Sequence, residues 1–270
     1  MLEFVGLGLY DERSITQRGA QAISVADTVY LEAYTSVLAG ATVDELEAHH
    51  GCELTMLDRS TIEQTPDEIL DRAQEEHVVM LVGGDPMVAT THVDLRLRAV
   101  ERDIETSVIH GTSAATAAAG LCGLQARRFG KATTVPHPGQ FGDDGVPPSV
   151  IETIDDNHER GLHTMVYLDI KLGDATRESL SDELEDRCLD AGTAAAELER
   201  AVPDLLAVAV GRAGSDDPLV VADRVSALAG RDFGPPLHLL IIPGRLHDLE
   251  AQALLEFADA PKAAVDELRQ

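Results

Sequence analysis

Phe4-Val5-Gly6-Leu7-Gly8-Leu9 is the stretch on which the fold turns. A short apolar run at the start of the chain gives way to two glycines, and that pattern reads as a buried strand running into a loop. Gly6-Leu7-Gly8 is half of a dinucleotide fingerprint, but Asp11 stands where the third glycine belongs. It reads equally as a tight strand-to-helix turn. Either way the backbone there can approach a ligand closely, at the strand end where open α/β sheets bind their ligands.

Working outward, short apolar runs alternate with helical stretches, which predicts an α/β protein with substantially parallel sheets. A helix capped by Ser14 or Thr16 carries Ala20, Ile23 and Val25. Strands follow at Thr28–Glu32, Glu53–Leu57, His77–Val82 and Glu105–Ile109, with helices at Thr42–His50, Pro66–Glu76 and Thr91–Arg102 between them. His110-Gly111-Thr112-Ser113 opens a small-residue helix over Ala114–Gly120. Beyond Leu121 the regularity changes. Strands are expected at Thr164–Leu168, Leu206–Val210, Leu219–Val221 and His238–Ile242, and helices at Ser149–His158, Ser179–Leu189, Ala194–Ala201 and Asp248–Phe257. The division expected is an N-terminal α/β domain, residues 1–109, and a C-terminal one, 110–270.

Composition narrows the function classes. No apolar stretch approaches the roughly 20 residues of a membrane span, and Met1–Val5 has no basic-then-apolar leader pattern; the expectation is a soluble, cytoplasmic protein. Cys52, Cys122 and Cys188 are far apart and lack CxxC partners, so they read as small buried hydrophobes, and no metal site is expected. The formal charge is −27, spread along a chain with only three lysines, Lys131, Lys171 and Lys262. A dispersed acidic excess suits a halophilic surface, where a Debye length of about 3 Å at 1 M salt makes self-repulsion cheap. It argues against direct nucleic-acid binding. Neither GxSxG nor a Walker A lysine motif is present, against a serine hydrolase and against phosphoryl transfer.

Gly83-Gly84-Asp85-Pro86 is more specific than the first loop. Its glycines admit a ligand to the backbone, and the Asp85 carboxylate could accept from ribose hydroxyls or an ammonium; a local Asx turn explains it as well. Gly111-Thr112-Ser113-Ala114-Ala115 could hold a carboxylate on helix amides or simply cap an alanine-rich packing helix. His238 and His247 show no metal-ligand spacing, and His49-His50 reads as solvated helix surface. Residue chemistry alone therefore reaches an α/β enzyme with a small ligand at its strand ends.

Together with Phe4–Glu12, Tyr30–Ser36 and Gly83–Pro86, the segments Arg160–Thr164, Leu168–Lys171, Gly211–Gly214, Pro236–His238 and Ile241–Gly244 resemble the diphthine synthase family in the same order over almost the whole chain. Tyr30–Ser36 and Gly161–Lys171 distinguish that family within the wider tetrapyrrole-methylase superfamily. The resemblance implies two α/β domains of the tetrapyrrole-methylase type with the methyl-donor cleft between them, in a homodimer. It implies S-adenosyl-L-methionine as donor and S-adenosyl-L-homocysteine as product. Leu9, Asp85, Val88, Ser113, Ala114, Leu168, Ala213 and His238 match the family's donor contacts. The implied substrate is elongation factor 2, on the histidine carrying a 3-amino-3-carboxypropyl group, whose amine is trimethylated to give diphthine in diphthamide biosynthesis. No catalytic base is singled out among Asp85, His238 and an acidic residue near Tyr34; Tyr34 is a candidate liner for a growing ammonium. Pro136–Phe141 and the acidic insert after it depart from the family pattern. A tetrapyrrole-precursor methyltransferase would share the donor loops but lack the two family-specific blocks. A non-catalytic ligand-binding module is the other alternative.

Overall fold

The computed structural model describes residues 1–32, 34, 37–88, 90–141, 145–171 and 184–269. They divide into two compact units, one built on Met1–Ala114, the other on Ala115–Lys171 and Glu185–Gln270.

The first unit is a five-stranded sheet in the order β3-β2-β4-β1-β5, where β1 is Leu2–Gly6, β2 Thr28–Glu32, β3 Thr55–Leu57, β4 Val78–Val82 and β5 Thr106–Ile109. Every pairing is parallel. Its helices are α1 (Gln17–Val25), α2 (Val43–His50), α3 (Arg59–Glu63), α4 (Asp67–Glu75) and α5 (Thr90–Glu101). A parallel sheet must be covered on both faces, so its central strand β4 is apolar at every position and its neighbours are largely so, while successive side chains still alternate in direction. Accordingly Phe4 and Met80 pack with Ile69, Leu70 and Leu95 of α4 and α5, whereas Val5 and Leu81 pack with Ala22, Ile23 and Leu46 of α1 and α2. Each fully buried side chain of this size contributes about 1.5–3 kcal/mol.

Thr16, not Ser14, caps α1, its hydroxyl accepting from the Gly19 N–H at 3.0 Å. Ser14 lies in a 3-10 turn, and its hydroxyl donates to the Leu9 carbonyl instead. Val25, expected on the buried face, is exposed because the helix ends there. The short helix α3, capped by Asp58, was not legible from periodicity.

The second unit holds β6 (Thr133–Val135), β7 (Thr164–Leu168), β8 (Leu206–Gly211), β9 (Leu219–Arg224) and β10 (His238–Ile242) in the order β6-β7-β10-β8-β9. Here the expectation of largely parallel strands fails: only β6 and β7 run parallel. For β8 and β9 the cause is connection length, since the segment 212–218 that joins them is too short for a parallel crossover. The helices are α6 (Ala114–Cys122, which opens the unit), α7 (Pro148–Glu159), α8 (Leu184–Arg187), α9 (Ala191–Glu199), α10 (Val225–Leu228), α11 (Asp248–Phe257) and α12 (Lys262–Leu268). Residues 179–183 of the expected helix Ser179–Leu189 lie outside the described residues. Ile154 of α7 and Ala194 and Leu198 of α9 pack with Val166, Ala207 and Leu240 of the sheet. Of the edge strands, β3 and β6 are three residues each and β5 four, and the Ala222 N–H of edge strand β9 donates to the Ala258 carbonyl at 2.8 Å.

A buried polar joint ties this unit together. Glu250, fully buried on α11, accepts from the Gln125 N–H (2.9 Å) and His163 Nε2 (3.0 Å) on one oxygen. Its other oxygen accepts from the His247 N–H (2.9 Å) and Arg128 Nη1 (3.2 Å). His163 Nδ1 accepts from the Gly244 N–H at 3.0 Å, so the bonding assigns its proton to Nε2 and leaves the ring neutral. Burial pushes the His163 imidazole below its ordinary value. Burial alone would raise the Glu250 carboxyl, but the His247 and Gln125 amides and the His163 ring outweigh it and hold it below the usual range. The Arg160–Thr164 and Ile241–Gly244 blocks are thus accounted for by architecture.

Candidate functional site

Three glycines from three segments meet at the carboxyl end of the first sheet. The register sets Gly6 against Val82 and Val5 against Ile109, so the loops leaving β1, β4 and β5 emerge side by side. Gly8 and Gly84 then exchange reciprocal hydrogen bonds, Gly84 N–H to the Gly8 carbonyl at 2.7 Å and Gly8 N–H to the Gly84 carbonyl at 3.2 Å. Both have positive φ, +75° and +74°, which glycine adopts without strain. A Cβ on Gly6 would lie 2.5 Å from the Gly84 carbonyl oxygen and the Gly111 nitrogen, and one on Gly111 would lie 2.3 Å from that same oxygen. The backbones are therefore packed as closely as glycine permits.

On this joint the structure brings together the first five positions expected to touch the donor. Leu9 is half-buried just past Gly8, its carbonyl accepting from the Asp11 N–H at 3.0 Å. Asp85 and Val88 follow Gly84, with Val88 exposed. Ser113 and Ala114 follow Gly111, half-buried at the start of α6. The Asp85 carboxylate has two partners already. One oxygen accepts from the Met87 N–H at 2.9 Å, closing the Asx turn, and the other lies 2.7 Å from His110 Nδ1. Each oxygen keeps a second lone pair for a ligand donor. Beneath the loop, buried His92 donates from Nδ1 to the Pro86 carbonyl at 2.8 Å.

Glu32, the acidic residue beside Tyr34, is buried and faces inward: it accepts from the Tyr34 N–H at 2.5 Å and stands 3.5 Å from His92 Nε2. It is part of the packing that supports the loops. The Tyr34 ring packs against the core of the first unit, with the Arg59 guanidinium 5.7 Å from its centre. Burial, reinforced by Glu32, pushes its hydroxyl up to about 12. Ala33, Thr35 and Ser36 of that block lie outside the described residues.

The remaining three positions also converge, within the second unit. Because β7 and β8 both run antiparallel to β10, their carboxyl ends lie at its start. Leu168 closes β7, Ala213 follows β8, and His238 opens β10 opposite Gly211. A Cβ on Gly211 would come within 2.9 Å of the His238 ring, which explains glycine at the head of Gly211-Arg212-Ala213-Gly214. His238 is buried, and neither ring nitrogen meets a partner at good hydrogen-bonding geometry among the described residues, the Phe233 backbone being a weak one. Burial pushes its imidazole down, towards the neutral form. It lines a cavity of about 330 Å³ with Glu185, Cys188, Asp190, Asp232 and Pro236. A buried ring with two poorly satisfied nitrogens on a cavity of ligand size fits a site that a polar heterocycle completes.

Other expectations resolve simply. Cys122 and Cys188 are buried, Cys52 half-buried and all three unpaired; burial pushes the first two thiols up to about 12, which suits packing and not nucleophilic attack. His49 is exposed on α2 as expected, but His50 is half-buried. In the atypical segment His137 is buried against the Arg187 carbonyl at 3.0 Å and Gln140 donates to Asp169 at 3.1 Å; residues 142–144 lie outside the described residues. Sequence reasoning passed over His110. Its signal is a polar ring at the carboxyl end of β5, directly before the glycine that closes the joint.

The glycine joint and the strand-end cluster define a ligand-binding α/β enzyme, and the family model for tetrapyrrole (corrin/porphyrin) methylases matches residues 1–229. The chain belongs to that family and, within it, to the diphthine synthases. A diphthine synthase of Natronomonas pharaonis is 56% identical over 98% of both chains. One of Halorubrum lacusprofundi is 55% identical over 99% of this chain and all of its own. A crystal structure of diphthine synthase superposes with a TM-score of 0.87 at 38% identity, covering 99% of each chain. No helix among the described residues is long and apolar enough to cross a membrane.

Proposed function

We propose that this methyltransferase of diphthamide biosynthesis transfers three methyl groups from S-adenosylmethionine to the amine of the 3-amino-3-carboxypropyl-modified histidine of elongation factor 2. The observation carrying the reading is the glycine joint, Gly6, Gly84 and Gly111, which presents bare backbone at adjacent strand ends. Leu9, Asp85, Val88, Ser113 and Ala114 on that joint, with Leu168, Ala213 and His238 at the start of β10, are the residues assigned to the donor. The poorly satisfied nitrogens of His238 suit the donor's adenine, and the Asp85 lone pairs suit its hydroxyl or ammonium groups. The donor brings a methyl already activated on a sulfonium. The protein's task is then to align it with an amine and keep that amine unprotonated, and alignment alone can supply up to about 7–11 kcal/mol.

The reading extends to assembly and setting. Val93, Leu97 and Val100 are 40%, 58% and 55% exposed and share one face of α5, an apolar stripe that suits the interface of a homodimer. Leu97→Glu should shift the protein from dimer to monomer by light scattering in concentrated salt; a dimer of undiminished stability would remove α5 from the interface. The dispersed charge of −27 suits a cytoplasm rich in salt and does not suit a nucleic-acid partner.

The decisive measurement incubates the protein with S-adenosylmethionine and elongation factor 2 bearing the modified histidine, in concentrated salt. Mass spectrometry should show a gain of three methyl groups on that residue. A folded protein that adds none would overturn the assignment.

A further inference from the structure

Each methyl transfer to a primary, secondary or tertiary amine requires a free lone pair on nitrogen. An aminocarboxypropyl amine enters as an ammonium and becomes an ammonium again after the first and second transfers. Three protons must therefore leave in the course of trimethylation, and a group is needed that accepts them one at a time and releases them to water.

We propose that His110 is that proton acceptor, with Asp85 as its positioning partner. This rests on the reading that the glycine joint binds the methyl donor. His110 directly follows β5 and precedes Gly111, so its backbone is fixed by the joint itself. Its Nδ1 lies 2.7 Å from Asp85 Oδ2, and the opposite oxygen of Asp85 is pinned by the Met87 amide. A carboxylate at Nδ1 assigns the ring proton there and leaves Nε2 with its lone pair pointing away from Asp85. This is the base-and-orienter geometry that general-base catalysis uses. The side chain is 70% exposed, whereas His238, the histidine assigned to the donor, is buried. Exposure allows His110 to meet an amine carried in on a protein substrate and to hand each proton to solvent before the next round. In each round the ammonium gives one N–H proton to Nε2, and its freed lone pair forms the N–CH₃ bond as the S–CH₃ bond breaks, the electron pair staying on sulfur. After the third transfer the quaternary nitrogen has no proton to lose, and the sequence stops.

The test compares wild type, His110→Ala and His110→Gln in the elongation factor 2 assay, with S-adenosylhomocysteine affinity measured by calorimetry on the same samples. Both variants should lose on the order of 100-fold in kcat, accumulate mono- and dimethylated product, and bind S-adenosylhomocysteine within twofold of wild type. Added imidazole should restore turnover to His110→Ala. Glutamine takes up no proton, so turnover near wild type in His110→Gln overturns the proposal. So does a fall in affinity parallel to the fall in kcat, which would make His110 a donor contact, and so does a His110→Ala protein that imidazole does not rescue. If wild type itself forms no methylated product, the functional reading has failed; equal products from all three proteins would sink only the role of His110.

Discussion

Replacing Gly111 with alanine should leave a folded protein that has lost on the order of 100-fold in kcat/KM, the penalty expected for misplacing reacting groups by about 1 Å. The new methyl would stand 2.3 Å from the Gly84 carbonyl oxygen and 2.9 Å from the Gly6 carbonyl carbon. Both are backbone atoms, so no rotamer change can make room. The loops after β1 and β4 must move apart, breaking the reciprocal Gly8–Gly84 bonds and carrying Leu9 and Asp85 with them. Overpacking of this kind costs about 1–3 kcal/mol of stability, while donor affinity should fall with activity in calorimetry. Gly120→Ala is the internal control. Nothing lies within 4 Å of its missing Cβ, and it sits inside α6, where alanine is favoured by about 0.5–1 kcal/mol. A Gly111→Ala protein that binds and turns over like Gly120→Ala would show that the joint does not position the donor.

The second large effect is on stability. Glu250→Ala should cost about 3–5 kcal/mol, the usual penalty for removing one member of a buried charge pair. It would strand Arg128, the His163 Nε2–H and the amides of Gln125 and His247 at once. Denaturant unfolding in concentrated salt measures this directly; a loss under about 1 kcal/mol would mean that water replaces the carboxylate. The same joint fixes the acid limb of the stability profile. Both His163 and Glu250 have folded-state values below their ordinary 6.5 and 4.5, so in each window the unfolded chain binds more protons than the folded one. Stability is therefore full above about pH 6.5. It declines first as pH falls from there through the lowered His163 value, then again below about 4.5 through the lowered Glu250 value. His163→Ala should lose the upper of these two steps.

Much of this was legible in the residues, and the limits have physical causes. Thr28–Glu32, Thr164–Leu168, His238–Ile242 and Asp248–Phe257 match the expected bounds because each is a clean apolar or amphipathic run between turn residues. Strand direction in the second sheet was not legible, since an apolar run looks the same in either sense; the short 212–218 connection decides only the β8–β9 pair. At the site, the glycines announced close backbone approach, but not that Gly6, Gly84 and Gly111 approach one another; that depends on which strands are neighbours. His163 lies in a block read as a family signature, and its ring is enclosed in architecture. His110, which the motifs passed over, faces solvent beside Asp85. Solvent exposure and through-space partners are properties of the fold, and a motif does not carry them.

The lengths of the edge strands have a consequence for colloidal behaviour. At low ionic strength a chain of net charge −27 holds its copies apart by mutual repulsion. At 1 M salt that repulsion reaches only about 3 Å, while apolar attraction persists. Unpaired sheet edges are then the natural place for molecules to template on one another. Here β3 and β6 offer three residues each and β5 four, too few for a lasting cross-strand ladder, and β9 has an outer amide occupied by Ala258. Resistance to fibrillar association is thus built from geometry, and it endures where charge ceases to protect.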